Sequence, residues 1–230
     1  NGKGKMSKRK GTVSARLFLD KGYLPEAMLN FFMILGWTPK DQREILTLEE
    51  YVKEFDPKDI SSKSVVFDLD KLKWMNGVYI RNLEFNQLKS RLKPFLPADF
   101  PLEKFDLILP LIQERLETLA DIEELTKFFY REIELEQSKL LKKADQETVL
   151  NELDKTLSSL NAVSDWSIKS IEGVIRSLQE DNDWKRGQYF MMIRLAVTGS
   201  KVSPPLFETI HALGKQKAGE RLAKAHQLVA

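Results

Sequence analysis

The chain contains no cysteine among its 230 residues. That absence excludes disulfides, thiolate metal sites and a cysteine nucleophile at once, and it fits a reducing, cytoplasmic setting. Histidine is nearly as scarce: His211 and His226 are the only two, and their spacing offers no ligand pair for a metal. Strand signals are sparse throughout, and no fixed-period repeat of the solenoid kind is found. Long apolar runs are missing too. The richest stretch, Met28 to Trp37, is too short to span a bilayer, and the chain opens on lysine and glycine rather than an apolar secretory core, so a soluble protein without a membrane partner is expected. Nor is there an excess of one charge. The formal net charge is only +2, so a surface for a polyanion has to come from segregation of charge along the chain.

Such segregation is present. Gly2-Lys3-Gly4-Lys5-Met6-Ser7-Lys8-Arg9-Lys10-Gly11 sets five cations among small residues, and no acid occurs before Asp20, whereas Glu114 to Glu136 is rich in acid. A flexible, cationic backbone can close over phosphate oxygens with amide N–H groups and ammonium heads, which points to a triphosphate or a nucleic-acid backbone. By composition alone the same stretch also describes a basic tail.

Past residue 12 nearly every segment carries a helical period. At 230 residues the chain can bury roughly 70 to 75 per cent of its unfolded surface, enough for one large domain or two to three small ones. Pro25 suits a first helical turn, Met28, Leu29, Phe31, Phe32, Ile34 and Leu35 follow, and Gly36 stops the run; apolar on most sides, this helix is expected to be central and buried. Asp68 can cap a helix carrying Leu69, Leu72, Met75 and Ile80, in which Gly77 either weakens the end or marks a close approach. Pro94, Pro97 and Pro101 break the pattern and mark a seam. Helices are predicted over Leu107 to Leu119, with Pro110 forcing a late start or kink, and over Ile122 to Tyr130. Leu150, Leu153, Leu157 and Leu160 form one stripe, and Ile171, Val174, Ile175 and Leu178 another. Trp184 to Val197 reads as a helix ended by Thr198-Gly199-Ser200. Pro204-Pro205 starts the helix Leu206 to Leu213, and Gly214 precedes a last helix reaching about Leu228. The fold class read from this series is all-α.

The order Lys5-Met6-Ser7-Lys8-Arg9 resembles the KMSKS-type signature of class I aminoacyl-tRNA synthetases. Further anchors are Leu24-Pro25-Glu26-Ala27, Leu35-Gly36-Trp37, Phe67-Asp68, Lys71-Leu72, Trp74 to Arg81, Arg194 to Gly199 and Leu213-Gly214-Lys215. Together they make the whole chain resemble the C-terminal half of the bacterial-type glutamyl-tRNA synthetases, from the signature loop onward. The resemblance implies a helical stem-contact domain with the loop over residues 1–85, an anticodon-binding helical subdomain over 86–138 and a second over 139–230. It also implies that the chain is a fragment, inactive alone: no HxGH motif is present, and His211-Ala212-Leu213-Gly214 lacks the second histidine.

The family activates glutamate by attack on the α-phosphorus of ATP and transfers it to a tRNA. The resemblance therefore implies ATP as substrate, with Mg2+ and with glutamate bound fully only in the longer enzyme, tRNA(Glu) as partner, a monomeric state and no metal site within this stretch. Lys5 and Lys8 are the expected cations on the triphosphate, Lys8 the expected catalytic one, with Met6, Ser7 and Arg9 completing the nucleotide contact. Arg115 falls where discriminating members read the last anticodon base. A guanidinium fork suits a splayed-out pyrimidine edge better than an ammonium does. Arg194, Pro204 and Leu206 match positions at the first anticodon base, one supplying donors and another an apolar platform, although Pro205 replaces the expected glycine between them. Lys71, Trp74 and Arg81, with Lys73 and Asn76, form a basic and aromatic group on the stem-contact side. Read from the residues alone, Arg115 is a solvated helix ion pair, Arg194 a surface charge and Leu206 a core residue. The alternatives are a ligase charging both glutamate and glutamine tRNAs, and a helical protein-interaction scaffold with a basic tail.

Overall fold

The computed structural model describes residues 14–61 and 66–230, and every regular element among them is helical. These residues divide into two compact units. The first holds the described residues up to Pro97 together with Gln113–Glu124, and the second holds Ala98–Ile112 with Leu125–Ala230.

In the first unit, α1, α3 and α4 begin where a side chain takes up orphaned N–H groups. Helix α1 (Ala15–Asp20) is capped by Ser14, whose hydroxyl accepts from Leu17 N. Helix α2 (Pro25–Met33) starts on a proline, which has no N–H to leave unpaired. Helix α3 (Leu48–Glu54) has a reciprocal cap: Thr47 Oγ1 accepts from Glu50 N while the Glu50 carboxylate accepts from Thr47 N. Helix α4 (Leu69–Arg81) is capped by Asp68, which accepts from Asp70 N and Lys71 N, as the sequence led us to expect. Helix α5 (Phe85–Leu92) follows. Phe18, Met28, Phe31, Leu72 and Met75 form the core between α1, α2 and α4. Helix α2 buries Ala27, Met28, Phe31 and Met33, but not its whole apolar surface: Leu29 and Phe32 are 44% and 43% exposed. Its buried face also holds Asn30, whose amide donates to Glu44 O at 3.1 Å and accepts from Leu46 N at 3.0 Å, fastening the loop that follows α2.

The second unit contains α6 (Phe105–Ile112), the body of α7 (Ile122–Tyr130), the single turn α8 (Gln137–Leu140), α9 (Gln146–Ala162), α10 (Ile168–Asp181), α11 (Arg186–Thr198), α12 (Leu206–Leu213) and α13 (Lys215–Val229). Helix α13 packs along α9 and also meets α11 and α12, so the C-terminal helix is a central strut. Gly199 ends α11 at φ +70, and a Cβ there would come within 2.8 Å of Glu134 O, which restricts the position to glycine on two counts.

Two predicted stretches differ from the structure. The helix expected over Leu107 to Leu119 ends at Ile112, and Gln113–Arg115 tightens into a 3₁₀ turn. Pro110 sits inside α6, where it withholds an N–H from the preceding turn, and two residues later the chain leaves α geometry. The stripe on α9 is rotated: Val149, Glu152, Leu153, Thr156 and Leu160 are buried, while Leu150 and Leu157 lie at the edge.

Candidate nucleic-acid interface

Lys5, Met6, Ser7, Lys8 and Arg9 lie outside the described residues. On α4, Lys71, Trp74 and Arg81 fall within about 80° of one another at 100° per residue, so they share one side of the helix. Trp74 is 45% exposed and makes no hydrogen bond or ring contact among the described residues. Lys71 is paired with Glu44 at 2.7 Å, and Lys73 with Glu117 at 2.5 Å; that bond to Glu117 holds the Lys73 ammonium above the usual lysine range. Arg81 is half-buried and folds back over Gly77. A Cβ at Gly77 would lie 3.0 Å from Arg81 Nη1, 3.4 Å from Leu116 O and 3.5 Å from Glu117 Cα. Gly77 is therefore a close-approach position inside α4, not the weakened helix end considered from the sequence. Asn76 is not a surface contact: it is wholly buried, accepting from Leu24 N at 2.7 Å and donating to Glu117 O at 2.6 Å.

The segment that settles onto α4 is the turn carrying Arg115. Leu116 is fully buried, and the Gln113 amide donates toward Ile80 O, Arg81 O and Leu83 O at 3.4, 3.2 and 2.9 Å. Between these anchors Arg115 is exposed, and its guanidinium has no ion pair or hydrogen bond among the described residues. The solvated ion pair that an arginine among glutamates suggests is not formed.

In the second unit, Arg194 does not point freely into solvent. Its guanidinium donates to Pro204 O at 2.8 Å, to Ser203 O at 3.3 Å and to the Ser203 hydroxyl, so it holds the loop that leads into α12. Pro204 and Leu206 are buried, Leu206 at 5% exposure, while Pro205 is exposed. As placed, Leu206 presents no platform to a base, because the first turn of α12 turns it into the core.

A stacking surface does exist beside this loop, and the sequence reading missed it. The rings of Phe190 and Phe207 meet edge to face at 5.7 Å, Arg176 lies over them at 5.9 and 5.4 Å, and Arg186 over Phe190 at 5.5 Å. Both rings are half-exposed. Arginines layered on aromatic faces offer cation–π and stacking area to an unstacked base. Only Arg186 and Phe190, four residues apart on α11, left a trace in the sequence; Arg176 and Phe207 come from α10 and α12. On another face of α11, a cavity of about 210 Å³ is lined by Leu140, Met192 and Leu195 with Lys142 and Lys201 at its rim. Among the described residues no group of three or more acidic, histidine or cysteine side chains is placed to hold a metal, and no helix is long and apolar enough to cross a membrane.

Residues 87–226 match the family model described as the anticodon binding domain. This chain belongs to that family. Residues 1–74 match the catalytic-domain model of the class I tRNA synthetases for E and Q. Among curated proteins, the glutamate–tRNA ligase of Symbiobacterium thermophilum is 39% identical over 96% of this chain and 48% of its own length. That of Roseiflexus sp. is 38% identical over 98% of this chain and 47% of its own length. A crystal structure of a glutamate tRNA ligase from Elizabethkingia meningosepticum, in complex with its amino acid, superposes with a TM-score of 0.85 at 27% identity, covering all of this chain and half of that one. The chain spans about half the length of the curated relatives it matches. The helical architecture read from the sequence is thus shared with these ligases.

Proposed function

We propose that this chain is the RNA-reading part of a glutamate–tRNA ligase, an enzyme that joins glutamate to tRNA(Glu) at the expense of ATP, with Mg2+ accompanying the nucleotide, and that it acts as a monomer. On this reading residues 1–85 carry the nucleotide loop and the stem contact, and residues 86–138 and 139–230 form the two parts that meet the anticodon. Lys5 and Lys8 hold the triphosphate as the pyrophosphate bond breaks, with Met6, Ser7 and Arg9 shaping the loop. Lys71, Trp74 and Arg81 face the stem. Arg194 sets the Ser203–Pro204 loop beside the Arg176, Phe190 and Phe207 surface, against which the first anticodon base stacks. With Leu206 packed inward, its part is to fix the start of α12.

The observation that carries the reading is Arg115, an exposed guanidinium without an ion partner among the described residues, on a turn fastened at both ends. An unpaired planar donor fork on a rigid support suits a pyrimidine edge. The test is direct binding to glutamate tRNA. Saturable binding that weakens as salt rises is expected, because bound phosphates release counterions. Arg115→Gln is expected to relax discrimination at the last anticodon base by roughly 1 to 3 kcal/mol, the scale of a specific base contact. Equal affinity of the unsubstituted protein for anticodon variants overturns the assignment.

A further inference from the structure

We propose that Gln113 is a positioning residue that sets base discrimination by holding Arg115 in place; the proposal rests on the base-reading role of Arg115 given above. At the end of α4 the chain turns before α5 begins, with Asn82 N donating to Val78 O and Leu83 N to Ile80 O at 3.2 Å each. Onto that turn the segment 113–117 brings one further side-chain donor. Gln113 Nε2 converges on Ile80 O, Arg81 O and Leu83 O, so one carboxamide ties the start of the turn to three backbone positions across 30 or more residues of sequence.

The other end of the turn is held independently. Asn76 donates to Glu117 O, Lys73 pairs with Glu117, and Leu116 is sealed in the core. Gly77 lets the backbone of 116 and 117 lie directly on α4. Of the residues in the turn, Arg115 alone combines an exposed cation with the absence of a partner among the described residues. A side chain with four rotatable bonds reads a base edge well only when its backbone is fixed, since each loose degree of freedom lowers the selectivity of the contact. Gln113 sits two residues from Arg115 and controls the end that Asn76 and Lys73 leave open.

The experiment compares binding of glutamate tRNA and of the same tRNA with its last anticodon base replaced, using the full 230-residue chain. Gln113→Met, which keeps the volume and removes the donor, is expected to lower the preference for the native base about tenfold, while the salt dependence of binding and the preference at the first anticodon base stay as they were. In an Arg115→Gln background the same change is expected to add nothing, because its effect passes through Arg115. Gln113→Lys, whose ammonium reaches the same carbonyls at a helix C-terminus, is expected to restore the preference. Should Gln113→Met lose its helical circular dichroism, Gln113→Asn withdraws the amide by one methylene and gives the same comparison. A folded Gln113 variant that keeps the full preference overturns the proposal, as does an equal further loss on top of Arg115→Gln. An unsubstituted protein indifferent to the last base removes the base-reading role itself, which is a distinct result.

Discussion

Glu152 is a carboxyl group with no exposed surface on a helix whose outer side is richly polar. One oxygen accepts from Gln188 Nε2 at 2.9 Å; the other is buried without a partner among the described residues. Burial pushes its pKa above the usual carboxylate range, Gln188 opposes that shift, and Asp145 adds to it. An acid whose folded pKa is raised binds more protons folded than unfolded in the interval between the two values. Stability is therefore fully present below the unfolded pKa and is lost as pH rises through the folded one. Glu152→Gln keeps the shape and removes the ionisation. It is expected to raise stability by about 1 kcal/mol at pH 8, and the gain should vanish near pH 4. Urea unfolding of both proteins across that range checks it; a constant difference at every pH would refute the titration. Nothing in the sequence marks Glu152 as buried, because acids on a helix normally face water, and the leucine spacing of α9 alone drew the stripe one position away.

At the scale of elements, the second unit depends on a single side chain that closes two helices. Arg221 on α13 is 6% exposed and donates to Val197 O near the end of α11, to Phe128 O at 2.6 Å and to Arg131 O at 2.9 Å around the end of α7. Carbonyls at helix C-termini carry partial negative charge, so a cation placed among them is favoured even though no carboxylate touches it. Burial still draws its pKa down to about 10. Arg221→Met is expected to cost about 2 to 4 kcal/mol, read as a lower urea midpoint, because three carbonyls are orphaned at once. Arg221→Lys is expected to recover only part of that, since one ammonium lacks the fork that spans them. The helices themselves were legible beforehand: the caps at Pro25, Asp68 and Gly199 are local chemistry, and local chemistry is written in neighbouring residues. What could not be read is what arrives from far along the chain. The Phe190, Phe207 and Arg176 surface needs three helices, and the burial of Leu206 needs the packing of α12. The early end of α6 follows from Pro110 together with a core place for Leu116, and only the first of these is visible in a linear text. Arg115 stands out through a family pattern, whereas its lack of an ion pair among the described residues is a property of the fold.

For the molecule as a whole, the two units are not two consecutive stretches. Residues 98–112 belong with 125–230, and Lys104 caps α12 by donating to Ala212 O and Leu213 O at 3.1 and 2.9 Å. A piece cut at 125–230 therefore lacks α6 and its packing on α12. Such a piece is expected to bind the dye ANS and to unfold without cooperativity, whereas 98–230 is expected to show a sharp transition; calorimetry of the two distinguishes them, and equal cooperativity would contradict the division.

The interleaving also orders events on the ribosome. When Pro97 has emerged, Asn76 still waits for the carbonyl of Glu117, Gly22 for the amide of Leu119 and the end of α4 for Gln113. At about 5 to 20 residues per second the missing strip follows within seconds. The nascent first unit must spend that interval open, while the opening stretch of its neighbour is already threading through the exit tunnel.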